Sequence, residues 1–372
     1  MTTIINGSSP SITFSDGSAQ TSATRPFQNR IINGAMVIDQ RNAGASVTNV
    51  ASAATYTLDR WFYFASQASK FTVQQDAGAV TPPAGFNDYL GITSSSAYTV
   101  GSSEIFLLAQ HIEGFNVADL NWGTANAKTV TLSFWVRSSL TGTFGGSLRN
   151  DASDRSYPFT YTIPTANTWT QISVTVAGDT SGTWLTTNGT GIRLSFGLGM
   201  GSTFSGTAGS WQAANYISAT GATSVVGTNG ATWFITGVQL EVGSTATSFD
   251  YRPYGTELAL CQRYYFKVLP AAGSIPMAVT TNSTTTGSRA FFVLPVTMRV
   301  APTALEQTGT ASDYRINAAN ANTTLSSVPT LGTALPNLVR IDSTVASGLT
   351  AGQAGSLESN SSAGFIALTA EL

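Results

Sequence analysis

The sequence predicts an all-β chain built around a jelly-roll β-sandwich, and three observations carry that prediction. Charged residues are only 10% of the 372, against about 25% in an ordinary soluble protein, and Thr, Ser, Gly and Asn fill the vacated places. The chain holds 19 Phe, 12 Tyr and 7 Trp, enough bulk to bury, which separates it from a polar disordered polymer. Short stretches alternate apolar with polar residues and are divided by clusters of Gly, Ser, Asn and Asp.

Taken in order, residues 1–28 read as a separate N-terminal segment for attachment or trimerisation. Ile12 and Phe14 alternate with polar neighbours, and Asp16-Gly17 supplies a turn. One small hairpin is marginal in water, so Ile5, Ile12 and Phe14 need a partner surface or copies of the same segment.

Residues 29–255 form the predicted sandwich. Val130, Leu132, Phe134 and Val136 alternate with mostly Thr and Ser, the pattern of a strand buried on one face. Ile172, Val174 and Val176 repeat it, as do Ile192, Leu194, Phe196 and Leu198. Phe234, Val238, Leu240 and Val242 are read as a fourth such face. Many short strands without helical period point to a two-sheet jelly roll, with a barrel as the alternative. The stretch from Gly199 to Gly230 reads as an ordered surface loop, because Phe204, Trp211 and Tyr216 anchor it.

From 256 to 372 a smaller C-terminal β domain is expected. Thr256 can cap a short helix in which Leu258, Cys261 and Tyr265 recur at helical spacing. Pro270 to Pro276 connects to strand candidates Ala290–Leu294 and Phe365–Leu372.

Charge and composition narrow the function. A net charge of −2 with scattered Lys and Arg gives no basic footprint for nucleic acid. No apolar run reaches the roughly 18 residues of a membrane span, and the first residues lack a signal-peptide profile. Membrane insertion is therefore not expected. The lone cysteine, Cys261, precludes an internal disulfide and reads as a small buried residue.

Three segments resemble phage fibre proteins. ITFSDGSAQTSA is similar to the peptide, apolar-x-Phe-x-Asp-Gly-x-x-Gln-x, found near the start of tail-fibre and appendage subunits. GVQLEVGSTATSFDYRPYGTELALCQRYY, from Gly237 to Tyr265, resembles the junction where a jelly-roll domain ends and a Cys-Gln-Arg-Tyr-Tyr element follows. LPVTMRVAPTAL, with the closing FIALTAEL, is similar to C-terminal fibre domains. The resemblance implies a virion location on a phage tail or head appendage, a homotrimer, docking to other virion proteins through the N-terminus, and contact with host cell-surface glycan. The VQLEVG strand also looks like the closing strand of jelly-roll carbohydrate-binding modules. By that analogy a structural calcium is conceivable near Asn33-Gly34 or Glu241, and no other cofactor is implied.

Sugars stack their C–H faces on aromatic rings and pair their hydroxyls with amides and carboxylates, usually on loops. Trp211 and Tyr216 in the long loop, Trp122 in LNWGTAN and Trp184 in SGTWLTTNG are the glycan-binding candidates on that ground. Trp61 and Trp135 are assigned to the core or a sheet face, and Asp59-Arg60 to an ion pair beside Trp61. No catalytic residues are assigned: His111 is the only histidine. Asp151 and Asp154, flanked by Arg149 and Arg155, read as a solvated loop with mutual charge pairing, and nothing in the sequence joins Glu104, Glu113 or Asp119 into an acid pair. The expected role is binding without catalysis. The alternatives are a purely structural head-fibre, decoration or tail-associated protein, and a polysaccharide depolymerase.

Overall fold

The computed structural model describes residues 28–48, 54–269 and 275–372 in full, and before residue 28 the backbone of three short strands. Those strands, β1 (Ile4–Asn6), β2 (Ser11–Thr13) and β3 (Ala19–Gln20), form one small antiparallel sheet. The side chains of Ile5, Ile12 and Phe14 lie outside the described residues, as does the 270–274 connection.

Two six-stranded sheets face one another. The first runs β13 (Thr170–Val176), β10 (Val130–Ser138), β17 (Thr232–Val242), β8 (Leu90–Ser94), β7 (Phe71–Gln75), β4 (Val47–Thr48). The second runs β12 (Ser156–Ile163), β11 (Gly142–Arg149), β14 (Thr190–Met200), β9 (Ile105–Glu113), β6 (Phe62–Ala65), β5 (Thr55–Tyr56). Every pairing is antiparallel, and the chain passes repeatedly from one sheet to the other, which makes this a jelly-roll sandwich.

The alternation seen in the sequence explains the core. Leu132, Phe134 and Val136 point inward from β10 and meet Leu194, Phe196 and Leu198 from β14, with the Phe134 and Phe196 rings 5.0 Å apart. Each such ring stabilises the fold by roughly 1.5–3 kcal/mol on burial. Trp61 is wholly buried there.

Strand β17 corrects one expectation. Its inward residues are Trp233 and Ile235, then Val238 and Leu240; Phe234 faces the other way and packs on Tyr89 and Ala77. The change of phase is a β-bulge, because Ser133 pairs with Gln239 but Trp135 pairs with Thr236. Gly237 and Val238 therefore oppose Phe134 alone, and Gly237 adopts φ 62°, where a side chain would be strained.

The 199–230 stretch is not purely surface loop. β14 continues to Met200, the short parallel strands β15 (Ser205–Gly206) and β16 (Ser218–Ala219) follow, and Val225 and Val226 enter the core.

Helix α1 (Tyr254–Gln262) starts from Pro253 and not from Thr256, whose N–H already bonds the Pro253 carbonyl inside the first turn. Tyr265 lies beyond the helix, in β18 (Tyr265–Val268). After it come β19 (Pro276–Asn282), β20 (Gly287–Val293), β21 (Leu305–Glu306), β22 (Tyr314–Ala318), β23 (Ala321–Thr324), β24 (Thr330–Ala334), β25 (Leu338–Thr344), β26 (Ala354–Ser359) and β27 (Ile366–Thr369). They make a three-stranded sheet, β18-β27-β21, and a seven-stranded one, β23-β22-β26-β19-β20-β25-β24, around a second core of Phe292, Met298, Tyr314, Val339 and Ile341.

Asp59 and Arg60 do not pair with each other. Arg60 binds Glu371 from the C-terminal region, and Asp59 lies 3.8 Å from Arg41. Both residues sit in the turn that precedes β6, and Arg60 takes left-handed backbone there at φ 71°, which sends its side chain away from Asp59.

Candidate functional site

The outward phase of β10 carries Ser133, Trp135 and Arg137, and Trp135 is half-buried there. Of the seven tryptophans, six have their indole N–H bonded within the chain: Trp61 to Asn33, Trp122 to Lys128, Trp169 to Thr81, Trp184 to Ser181, Trp211 to Ala177 and Trp233 to Tyr161. Among the described residues Trp135 makes no such bond and stacks on no other ring.

Trp135 borders an open cleft of about 220 Å³, shared with Gln171, which pairs with it across β13, and with Phe86, Phe249 and Tyr251. The last three form an aromatic wall, with centroids 4.8 to 5.5 Å apart. The Tyr251 hydroxyl donates to the Gly85 carbonyl at 2.7 Å and fixes the 247–251 loop against the 83–87 loop. Tyr251 nevertheless keeps 56% of its surface exposed. The bulge builds this wall: a Cβ on Gly237 would stand 2.6 Å from the Phe86 ring, so the ring closes directly on glycine backbone. The Gln171 amide is exposed and unbonded, leaving a donor and an acceptor beside the indole. A free ring face, a free N–H and a free amide are the groups that hold a sugar ring by stacking and hydrogen bonding.

A larger hollow of about 330 Å³ lies between Arg30, Phe115, Asn116, Arg252 and Leu260. Its two arginines are already paired, Arg30 with Asp119 at 2.8 Å and Arg252 with Glu257 at 3.2 Å.

Three of the four aromatics expected to bind glycan come together. Trp122, Trp184 and Trp211 meet edge-to-face at 4.7 to 5.3 Å, with Tyr157 against Trp211. Trp122 is buried, and Trp184 and Trp211 are half-buried against the core, so the rings pack on one another and pin three loops together. Tyr216 stands apart from them, half-buried with its ring over Gly206. The sequence signal for Trp135 was its phase: a tryptophan at a polar-face position of an alternating strand.

The carboxylates are engaged individually. Arg155 pairs bidentately with Asp179, both bonds 2.7 Å, and Asp151 pairs with Arg193, so the expected mutual pairing within residues 149–155 does not form. Arg155 and Asp151 each reach a partner on a neighbouring segment because the turn aims their side chains outward, while Arg149 bonds the Asn215 amide oxygen. Asp154 accepts from the Asn150 amide. Glu113 holds Arg263 and Tyr264, and Asp119 holds Arg30. Glu104 accepts from the Gly101 N–H, Tyr98 and Gln67, which keep its carboxyl below its ordinary value. Burial pushes the Cys261 thiol up.

At the two places considered for calcium, the oxygens already accept protein donors. Asn33 Oδ1 accepts from Ile38 N, and Glu241 accepts from Gln239, Thr247 N and the Thr247 hydroxyl.

No family model matches the chain, and no curated protein matches it by sequence. Among solved structures it is similar to the enzymatically active domain of bacteriophage CBA120 tailspike protein 4, at 13% identity and TM-score 0.34 over 59% of this chain. It spans 22% of that tailspike's chain. A CBM4 structure aligns at 16% identity and TM-score 0.29, covering 57% of this chain and 98% of the other. The family 11 carbohydrate-binding module of a Clostridium thermocellum cellulosomal cellulase aligns at 9% and 0.26, covering 54% and 100%. At these scores the two sheets themselves define the class, a jelly-roll β-sandwich, and function has to be argued from the cleft.

Proposed function

We propose that this chain is a fibre or appendage subunit of a phage particle that binds host-surface glycan through the Trp135 cleft and does not cleave it. The binding half rests on one observation: among the described residues Trp135 is the tryptophan whose indole N–H finds no bond, and it shares an open aromatic cleft with the Gln171 amide, which is likewise unbonded there. The virion half is supported by the fibre-like segments around Asp16-Gly17, Gly237–Tyr265 and Leu294–Leu305.

A glycan array read by the full chain, followed by calorimetry on the best saccharide, tests the binding half. Trp135→Ala should weaken binding by about tenfold or more, a loss of roughly 1.4 kcal/mol. Unchanged affinity in that variant would remove the cleft from the argument, and release of reducing ends from host polysaccharide would replace binding with cleavage.

A purely structural role is the second reading, and a different face favours it. Val279, Phe291, Val293 and Leu338, on the adjoining strands β19, β20 and β25, are 73%, 50%, 82% and 36% exposed. An apolar sheet face of this kind is suited to burial against further copies of the chain in a homotrimer. The absence of saturable glycan binding on the array, together with a stable trimer, would select this reading.

A further inference from the structure

The outer face of the second sheet sets two arginines side by side, with a carboxylate paired to only one of them. Arg149 on β11 pairs directly with Arg193 on β14, and Arg193 pairs with His111 on β9. Directly opposite side chains stand roughly 5 Å apart, so the charges of Arg149 and Arg193 repel. Arg149 is only 6% exposed. Its Nη1 donates to Asn215 Oδ1 at 2.7 Å and its Nη2 lies 3.4 Å from Ser195 Oγ, while its Nε is buried without a partner. No carboxylate among the described residues comes within 4.0 Å of it. Arg193, with its side chain 27% exposed, pairs with Asp151 at 2.7 Å and approaches Ser153 Oγ at 3.4 Å, and its Nε is likewise unpartnered among the described residues.

Of the two guanidinia only that of Arg193 has a carboxylate, Asp151, and that of Arg149 has none among the described residues. A buried cation without a counter-ion is costly, and the planar guanidinium fork matches a two-oxygen anion. Both flanking loops are fixed in advance. Asn150 ties the 150–155 turn through bonds to Asp154, Arg155 and Thr183, and Ser156 ties the 214–216 segment through bonds to Ala214 and Tyr216.

We infer that the Arg149–Arg193 pair is an oxyanion subsite that takes a carboxylate or sulfate group of an acidic saccharide. The inference rests on the glycan reading for what carries the anion, and on the arginine pair alone for the anion itself.

The test uses the full chain and two probes, inorganic sulfate against chloride at matched ionic strength and oligogalacturonate against its methyl ester. Asn215→Asp places a carboxylate beside Arg149 as an internal counter-ion. Sulfate should bind the wild type saturably, displace the His111 imidazole resonance and do neither in Asn215→Asp. Oligogalacturonate should bind about tenfold tighter than the ester, and that preference should vanish in Asn215→Asp and in Arg149→Met. No saturable sulfate binding to the wild type, or the same binding to Asn215→Asp, would overturn the subsite. Sulfate binding without any saccharide preference would overturn the acidic-saccharide assignment and leave an ion subsite. Loss of neutral-glycan binding in Trp135→Ala with the sulfate response intact would separate the two sites.

Discussion

The carboxylate of Glu113 receives the Arg263 Nε at 2.9 Å, joining the end of strand β9 to the residue that follows helix α1. The Tyr264 hydroxyl donates to the same Glu113 oxygen at 2.6 Å. Glu113 is 1% exposed, so removing it strands a cation and a phenol. The Arg263 side chain is 29% exposed and keeps some solvent, so Glu113→Ala is expected to lower the unfolding free energy by roughly 1–3 kcal/mol, chiefly through the unpartnered Tyr264 hydroxyl, read by denaturant titration. A loss below about 1 kcal/mol would mean that the two halves of the chain are held elsewhere.

This bond shows where sequence reading reached and where it stopped. Cys261-Gln262-Arg263-Tyr264-Tyr265 stood out as a junction motif, but its partners lie far away along the chain: Glu113 for Arg263 and Tyr264, Arg60 stacked 3.6 Å over Tyr264, and Arg41 stacked 3.6 Å over Tyr265. Alternation made β10 and β14 legible because one face carries the apolar residues and the other mostly polar or small ones, although Thr131, Ser133 and Ser195 on that second face are buried as well. It misplaced Phe234, since a bulge at Gly237 reverses the phase and strict period-two counting does not register an extra residue. The loop aromatics read in the sequence as exposed platforms, yet Trp122, Trp184 and Trp211 meet in three dimensions and pack edge-to-face, with their indole N–H groups on backbone carbonyls.

Gly237 should tolerate no side chain. Its φ of 62° strains any other residue, and the new methyl would meet Phe86 at 2.6 Å. Gly237→Ala is expected to cost about 1–3 kcal/mol of stability. It should also reduce saccharide binding under conditions where the protein remains folded, because the Phe86 wall must shift. Intact binding to a folded Gly237→Ala chain would show that the wall does not shape the cleft.

The apolar face of the C-terminal sheet should hold copies together. Val293 pairs with Leu338 across β20 and β25, and both are exposed. Val293→Lys, which adds a charge at an 82% exposed position, should leave the isolated fold intact and convert a trimer to a monomer in sedimentation equilibrium. A wild type that sediments as one chain, or a variant that stays trimeric, removes this face from assembly.

His111 and Asp59 should pull the pH dependence of stability in opposite directions. Burial, then Arg193, lowers the His111 pKa from 6.5 to about 3, against the opposing Leu372 carbonyl; Arg149 and Arg60 lower it further. A depressed pKa means the unfolded chain takes the proton first, so this stability is present above pH 6.5 and is lost as pH falls toward 3. Asp59 acts oppositely: burial raises it from 3.8 to about 6 despite Arg41 and the Gln40 bonds. Its contribution is complete below pH 3.8 and is lost as pH rises through 6. Between about pH 4 and 6 the two slopes, each at most roughly 1.4 kcal/mol per pH unit, run against one another. His111→Gln should unmask rising stability as pH falls through that window, and Asp59→Asn should unmask falling stability. Since His111 is the only histidine, its single imidazole signal should stay unchanged from pH 8 to 5. A midpoint near 6.5 would show the ring to be solvated and would remove half of the compensation.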